Sequence, residues 1–317
     1  MSARHLLTIN DLDAAALQAL LADARAAKAD PAALYGALAG RTVLMHFTKA
    51  STRTRISIET AVVRLGGHPI FTRGDELQLG RGEPISDTAH VVSRMCDAIV
   101  IRTFAQADVE ELARHATIPV VNALTDDHHP LQALADLMTI EEHLGELPGK
   151  TIAWIGDGNN VFHSLAQAAA LAGMHVRIAT PEGYEADPEI VGAAATVARA
   201  HGGSLTELRD PAEAVAGADV VVTDVFVSMG EEAQADEKFA AFDGYQVDAA
   251  LMAQAAPTAI FMHCLPAHRG EEVTDAVIDG PQSLVWDEAE NRIHAQKAVL
   301  AWCFAETAGG QVPGTCQ

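Results

Sequence analysis

Cysteine is scarce in this chain: there are four in 317 residues, at positions 96, 264, 303 and 316. They form no CxxC pair and lack the density of a disulfide-stapled secreted domain, so reduced thiols are expected. Basic residues are also few, 21 Lys and Arg against 43 Asp and Glu, giving a formal net charge of −22. That balance argues against nucleic acids and anionic membranes as partners, because both select a cationic excess. No apolar run reaches the ~18 residues of a membrane span. The N-terminus, Met1 to His5 followed by a helical pattern with Asp11, Asp13 and Asp23, has no signal-peptide core. The expected compartment is the cytoplasm. No internal repeat is visible, and no low-complexity tract beyond an enrichment in alanine.

What the chain does have is a hydrophobic content of 49% and a length that suits two lobes of roughly 150 residues. Apolar runs alternate with helical patterns, the mark of parallel sheets covered on both faces. Strands are expected near Thr42–Phe47, Pro69–Thr72, Ala98–Arg102 and Pro119–Asn122, then near Thr151–Ile155, His175–Ala179, Ser204–Leu208, Val220–Asp224, Ala259–His263 and Ser283–Trp286. Leu147-Pro148-Gly149-Lys150 is a turn signal between the halves. The expected fold is therefore α/β: two doubly wound parallel-sheet lobes, 1–146 and 150–288, with an interlobe active-site cleft. A last helical segment, about 289–317, is expected to pack back on the first lobe.

Ligands of such sheets sit beyond the carboxyl ends of strands, and the chemically suggestive clusters all lie there. The first is Phe47-Thr48-Lys49-Ala50-Ser51-Thr52-Arg53-Thr54-Arg55, a cationic, hydroxyl-rich turn that opens a helix. A helix start offers free N–H groups and the positive end of the macrodipole, which together make an anion hole. Ser51 can cap the helix, Thr52 and Thr54 can add hydroxyls, and Arg53 offers a planar fork for two oxygens. Arg55 stands four residues before Glu59, the spacing of a helix ion pair. An acidic protein that binds an anion must gather its few cations, and Lys49, Arg53, Arg55 and Arg64 are such a gathering.

Arg102 closes a strand, where by itself it reads as a salt-bridging residue. His129-Pro130-Leu131-Gln132 opens a long helix with proline at its first position, projecting His129 and Gln132 from the helix mouth. A neutral imidazole there can donate to a carbonyl oxygen. Metal ligation by His128, His129, Asp126 and Asp127 matches no zinc spacing, and no metal is expected. Gly156-Asp157-Gly158-Asn159-Asn160 is a partial dinucleotide turn whose third glycine is replaced by Val161. Its asparagines are alternatively contacts for a small substrate, or plain turn residues. Asp224, with Ser228-Met229-Gly230 after it, can hold an ammonium group. His263-Cys264-Leu265-Pro266 offers a cysteine with no base spaced for a Cys–His protease, so that pocket-shaping and plain burial stay open. Arg292 by itself reads as a surface ion pair with Glu288.

Together, Ser51–Arg55, His129–Gln132, Asp224…Ser228-Met229-Gly230 and His263–Pro266 resemble the aspartate/ornithine carbamoyltransferase family, in its ornithine-using branch. The likeness runs from about Leu6 to Phe304 and includes Gly156–Asn160 and Asp287–Arg292. It implies a transferase of arginine metabolism, without a cofactor, that moves the carbamoyl group of carbamoyl phosphate to the δ-amine of L-ornithine. By the same resemblance Ser51, Thr52, Arg53 and Thr54 hold the phosphate, and Arg102, His129 and Gln132 hold the carbamoyl part. Gln78 reaches carbamoyl phosphate from a neighbouring subunit of a homotrimer, or a multiple of trimers. Cys264, Leu265 and Arg292 complete that site, with Arg102, His129 and Cys264 as the implied catalytic set. Asn160, Asp224, Ser228 and Met229 are placed as contacts to ornithine. One departure is Val225-Phe226, where the family usually has Thr-Trp and hence an indole donor that phenylalanine lacks.

Rival readings are a sibling carbamoyltransferase for putrescine or N-acetylornithine, a dinucleotide-dependent oxidoreductase, and a non-catalytic descendant. Putrescine has no α-amino or α-carboxylate group for the Asp224 loop to hold, and an N-acetylated substrate leaves Asp224 without an ammonium. An oxidoreductase leaves Ser51–Arg55 and His263–Pro266 unexplained. A non-catalytic descendant has no need to keep Arg53, Arg102, His129 and Asp224 together.

Overall fold

The computed structural model describes residues 3–74, 76, 82–228 and 232–305. Its first lobe contains α1 (Ala14–Ala29), β1 (Thr42–Phe47), α2 (Arg53–Arg64), β2 (His68–Arg73), α3 (Ile85–Val92), β3 (Ala98–Arg102), α4 (Gln106–His115), β4 (Val120–Leu124) and α5 (Pro130–Leu144). The second continues with β5 (Thr151–Ile155), α6 (Asn160–Leu171), β6 (His175–Ala179), α7 (Pro188–Ala200), β7 (Ser204–Leu208), α8 (Pro211–Val215), β8 (Val220–Thr223), α9 (Ala235–Ala241), α10 (Ala249–Met252), β9 (Ile260–His263) and α11 (Asp275–Ile278). A final helix, α12 (Val285–Phe304), packs back against α1, α2 and α5.

Local signals explain the helix limits. Asp13 caps α1 by accepting from the Ala16 N–H, and Pro130 occupies the first turn of α5, where a missing N–H costs nothing. Gly145 ends α5 at φ 76°, a conformation that suits glycine. Asn159 caps α6 through the N–H groups of Val161 and Phe162.

Both sheets are parallel, in the orders β2-β1-β3-β4 and β7-β6-β5-β8-β9. The strand order reverses between β1 and β3 and again between β5 and β8. Crevices open at such switch points because the following connections leave for opposite faces. The register pairs Phe47 with Arg102 at the first switch and Ile155 with Thr223 at the second. The turn after β1, Arg102, the Gly156–Asn160 turn and Asp224 therefore all lie at crevices.

One apolar cluster runs through both lobes. It includes Val43 and Met45 of β1, Leu134, Leu137 and Met138 of α5, Trp154 of β5, Leu165 of α6 and Val299 of α12. Each large side chain buried there contributes about 1.5–3 kcal/mol, so α5 is fixed to both lobes by packing. Separate clusters line the outer face of each sheet.

The expected strand at Ser283–Trp286 is not formed. Ser283 makes an isolated bridge to Phe261, and the chain turns at Leu284 into α12. The apolar residues there enter a helix, whose first turn carries Asp287 and Glu288. Phe226 at the family departure is 3% exposed and stacks on Phe242 with ring centroids 4.5 Å apart. It is a core residue of the second lobe, which an apolar ring satisfies without an indole donor.

Gly158 tests how tightly the second crevice is built. A Cβ there would lie 2.1 Å from the Ala186 backbone nitrogen, so the chain must move to accept any side chain. Gly158→Ala is expected to lower stability by about 1–3 kcal/mol, read as a lower urea midpoint.

Candidate active site

The turn after β1 walls a cleft of about 720 Å³, with Thr48, Ser51, Thr52, Arg55 and Arg73 on its lining. Thr48 anchors it: its N–H and hydroxyl both donate to the Arg102 carbonyl, at 2.9 and 3.1 Å. The N-cap of α2 is Thr52, and it makes no side-chain cap bond. Ser51 therefore does not cap, contrary to the sequence expectation, and first-turn N–H groups stay available to an anion. Arg55 pairs with Glu59 at 3.0 Å and lies over the Phe71 ring, as its spacing implied. Lys49 is taken by Asp126.

Near the start of α2 three guanidinium groups converge, those of Arg53, Arg102 and Arg292. Arg102 is 6% exposed, and burial together with the charges of Arg292 and Arg53 lowers its pKa to about 10. Arg292, 3% exposed, donates from Nη2 to Thr54 Oγ1 at 2.6 Å. The surface pair expected between Arg292 and Glu288 is absent: both are buried, and Glu288 accepts from Gln132 and from the His263 N–H, at 2.8 and 2.9 Å. Among the described residues no carboxylate lies within ion-pair distance of Arg53, Arg102 or Arg292. The Nε atoms of Arg102 and Arg292 are buried without a hydrogen-bond partner. Such a group is arranged for an oxyanion.

His129 sits at the N-cap of α5, its backbone N–H donating to Ser164 Oγ at 2.8 Å. Burial, then Arg292 and Arg102, hold its pKa well below the usual imidazole range. Its ring is thus neutral and able to donate one hydrogen bond without repelling the arginines. Gln132 Oε1 is buried and unpartnered.

At the second switch point, Asp224 accepts from Asn159 Nδ2 at 2.8 Å and from the Cys264 thiol at 3.2 Å. Burial, then the neighbouring Asp224 and Glu288, raise the Cys264 pKa well above its ordinary value. The group is a thiol, unsuited to nucleophilic attack. Asn160 Nδ2 donates to the Thr125 carbonyl, linking the first lobe to the start of α6. Leu265, at φ 59°, donates its N–H to His263 Nδ1 at 2.9 Å. Arg102 and Arg292 both lie within electrostatic reach of Cys264, so the two crevices adjoin.

Ser51, Thr52, Arg53, Thr54, Arg102, His129, Gln132 and Arg292 gather on the first crevice, and Asn160, Asp224, Cys264 and Leu265 on the second. Ser228 follows Asp224 in the same loop; Gln78 and Met229 lie outside the described residues. Asp136 went unread in the sequence, and two other residues were read differently. Asn159, a turn or substrate-contact candidate, is a cap that also holds Asp224, and Glu288, the expected surface partner of Arg292, is like Asp136 a buried carboxyl group whose helical neighbours gave no sign of burial. Glycine at 158 serves close packing on Ala186 rather than a pyrophosphate, which removes the ground for a dinucleotide turn.

Two groups of donor atoms lie within metal-binding reach, Asp224/His263/Cys264 and His268/Glu271/Glu272. Their atoms already serve protein hydrogen bonds: His263 to Glu272 and Leu265, the thiol to Asp224, His268 to Glu271.

The fold and the cleft are those of a two-substrate enzyme with an oxyanion pocket on one lobe and a carboxylate pocket on the other. Residues 4–142 match the model of the aspartate/ornithine carbamoyltransferase carbamoyl-P binding domain, and residues 148–303 that of the Asp/Orn binding domain. An ornithine carbamoyltransferase of Rhizorhabdus wittichii is 55% identical, covering 95% of this chain and 98% of its own. The structure of ornithine carbamoyltransferase from Pyrococcus furiosus superposes with a TM-score of 0.91 at 50% identity, covering 95% of this chain and 96% of the other. An acetylornithine transcarbamylase complexed with acetylcitrulline gives 0.86 at 31% identity, covering 95% and 99%. The chain belongs to the aspartate/ornithine carbamoyltransferase family.

Burial of the cleft histidines has a consequence for stability. His128 is driven down to about 4, first by desolvation and then by His163, whereas an unfolded histidine titrates near 6.5. Between those values the unfolded chain binds the extra proton, so His128 removes stability as pH falls from 6.5 towards 4. Asp136, raised to about 7 chiefly by burial, works in the opposite sense. His128→Asn is therefore expected to lose less stability than the parent between pH 6.5 and 4.5, compared by urea midpoints.

Proposed function

We propose that the chain transfers the carbamoyl group of carbamoyl phosphate to the δ-amine of L-ornithine, giving L-citrulline and phosphate. The observation that carries this reading is the convergence of Arg53, Arg102, Arg292 and neutral His129 on one crevice, opposite Asp224 on the other. The names of the relatives agree with it, and identity is higher to the ornithine enzymes than to the acetylornithine one.

Carbamoyl phosphate is a mixed anhydride whose phosphate is already a good leaving group, so catalysis needs orientation and charge stabilisation more than covalent help. Ser51, Thr52, Arg53, Thr54 and the first turn of α2 hold the phosphate. Arg102 and His129 donate to the carbonyl oxygen, where negative charge grows as the uncharged δ-amine attacks; each well-aimed donor is worth about 3 kcal/mol. Gln132 Oε1 accepts from the carbamoyl nitrogen, and Leu265 and Arg292 border the same pocket. Departing phosphate takes the amine proton. Asp224 holds the α-ammonium, with Asn160, Ser228 and Met229 beside it. Cys264, protonated and bonded to Asp224, shapes the amine end. Juxtaposing both substrates in a closing cleft supplies much of the remaining acceleration.

We also infer a homotrimer, with Gln78 completing a neighbour's site. Its support is exposed apolar side chains on the first lobe: Ile56 and Val63, two turns apart on α2, and separately Val91 on α3 and Met95 just after it. A reducing cytoplasm suits the described cysteines, which are all free; among the described residues no helix is long and apolar enough to cross a membrane.

Assay of purified protein with carbamoyl phosphate and ornithine, N-acetylornithine, putrescine or aspartate is expected to give ureido product from ornithine; product from N-acetylornithine instead would overturn the reading. Arg53→Ala is expected to weaken carbamoyl phosphate at least about 100-fold by calorimetry, the worth of two charge-assisted bonds, with the fold intact by circular dichroism. Asp224→Ala is expected to raise the KM for ornithine far more than that for carbamoyl phosphate, and equal changes would count against the division of labour between the lobes.

A further inference from the structure

Gln132 is fully buried and both hydrogens of its amide are spent: Nε2 donates to Asp136 Oδ1 and to Glu288 Oε1, each at 2.8 Å. A primary amide has two N–H donors, so two carboxyl acceptors saturate the nitrogen and leave only the oxygen to serve a ligand. Turning the amide over would set that oxygen against two carboxyl groups. The side chain is therefore held one way round.

The two acceptors arrive from different elements. Asp136 is one turn along α5 from Gln132, and Glu288 stands in the first turn of α12. The second oxygen of Glu288 accepts the His263 N–H at 2.9 Å, at the residue before Cys264. Asp136 and Glu288 are 2% and 1% exposed, share the Gln132 amide, and lie close enough to perturb one another's ionisation. Desolvation dominates in raising both, so the pair retains a proton near neutrality, and that proton joins the two groups instead of leaving paired negative charge in a dry site.

We propose that Asp136 and Glu288 form a carboxyl clamp that fixes Gln132 Oε1 as an N–H acceptor, making the first crevice selective for a carbamoyl group over other acyl phosphates. The clamp residues touch Gln132 and not the substrate, so they are positioning residues. The inference rests on the assignment of Gln132 to the carbamoyl nitrogen. Acetyl phosphate is the natural probe, because it keeps the phosphate and carbonyl but sets a methyl group where carbamoyl phosphate has NH₂. A methyl leaves Oε1 unpaired, and sites built around a hydrogen bond reject analogues that lack it.

The test is calorimetric binding of carbamoyl phosphate, acetyl phosphate and inorganic phosphate to the full-length protein and four variants. The parent is expected to prefer carbamoyl over acetyl phosphate by at least about tenfold, the worth of one such bond. Asp136→Leu and Glu288→Gln are expected to erase most of that preference while leaving inorganic phosphate bound nearly as before. Glutamine supplies one acceptor where Glu288 serves two N–H groups. Asp136→Asn is expected to keep the preference, since its carbonyl accepts from Gln132 while its NH₂ donates to Glu288 as the shared proton does. An unchanged preference in both Asp136→Leu and Glu288→Gln, or equal weakening of all three ligands, overturns the clamp. Gln132→Leu separates the two levels of the argument. If it leaves the preference intact, the assignment of Gln132 is wrong; if it collapses the preference and the clamp variants do not, only the clamp is wrong. Should Asp136→Leu fail to fold, the contrast between Asp136→Asn and Glu288→Gln decides alone, and the same preference in both overturns the clamp.

Discussion

Arg292 reaches from the last helix to Thr54 at the start of α2, across 238 positions of sequence, and joins buried Arg102 and half-buried Arg53. Three like charges gathered in this way repel, and among the described residues none of them has a direct ion pair. The fold holds them there through covalent and packing constraints. Arg102 is fixed by strand pairing, Arg53 by the turn after β1, and Arg292 by the packing of α12 on α1, α2 and α5. Lys49 and Arg55 take Asp126 and Glu59 as partners, while Arg53, Arg102 and Arg292 have no carboxylate within ion-pair distance among the described residues. The cations thus divide into those with carboxylate partners and those without.

The same positive field explains the state of the neighbouring groups. His129 is neutral because a charged imidazole would be both dehydrated and repelled. Asp136 and Glu288 lie close enough to Arg292 to feel it, yet burial outweighs that attraction and the pair keeps a proton. Cys264 is held in the thiol form by burial first and then by the carboxyl groups around it. The cleft therefore presents fixed positive charge on one wall and mostly neutral donors and acceptors elsewhere, an arrangement that meets a developing negative charge without rearranging solvent.

Much of this was legible from residue order. Five of the strand ranges coincide with those expected, because parallel strands are short runs, mostly apolar, bracketed by turn residues. The failure at Ser283–Trp286 has the same origin: an apolar run before a helix is indistinguishable from a strand until the bridge partners are known. At the site, the sequence pointed to Arg53 over Arg55 through helical spacing alone. It pointed the wrong way for the cap, because Ser51 lies one residue too early, and for Arg292, because an i−4 glutamate suggested a surface pair. The burial of Asp136 and Glu288 was invisible for a physical reason. A carboxylate on a helix is ordinarily solvated, and only the packing of α5 against α12 dries these two.

The position of Arg292 within the last helix also sets an order of assembly. A chain emerging from the ribosome can complete the strands of its first lobe long before α12 has been made, and lobes of this size begin to fold as they emerge. Until then the turn at Ser51–Arg55 lacks the guanidinium that bonds Thr54, and Gln132 lacks one of its two acceptors. Ligand-binding competence is in this way deferred until α12 has been made, and a chain without α12 is left with a sheet and a helix start but an unfinished pocket.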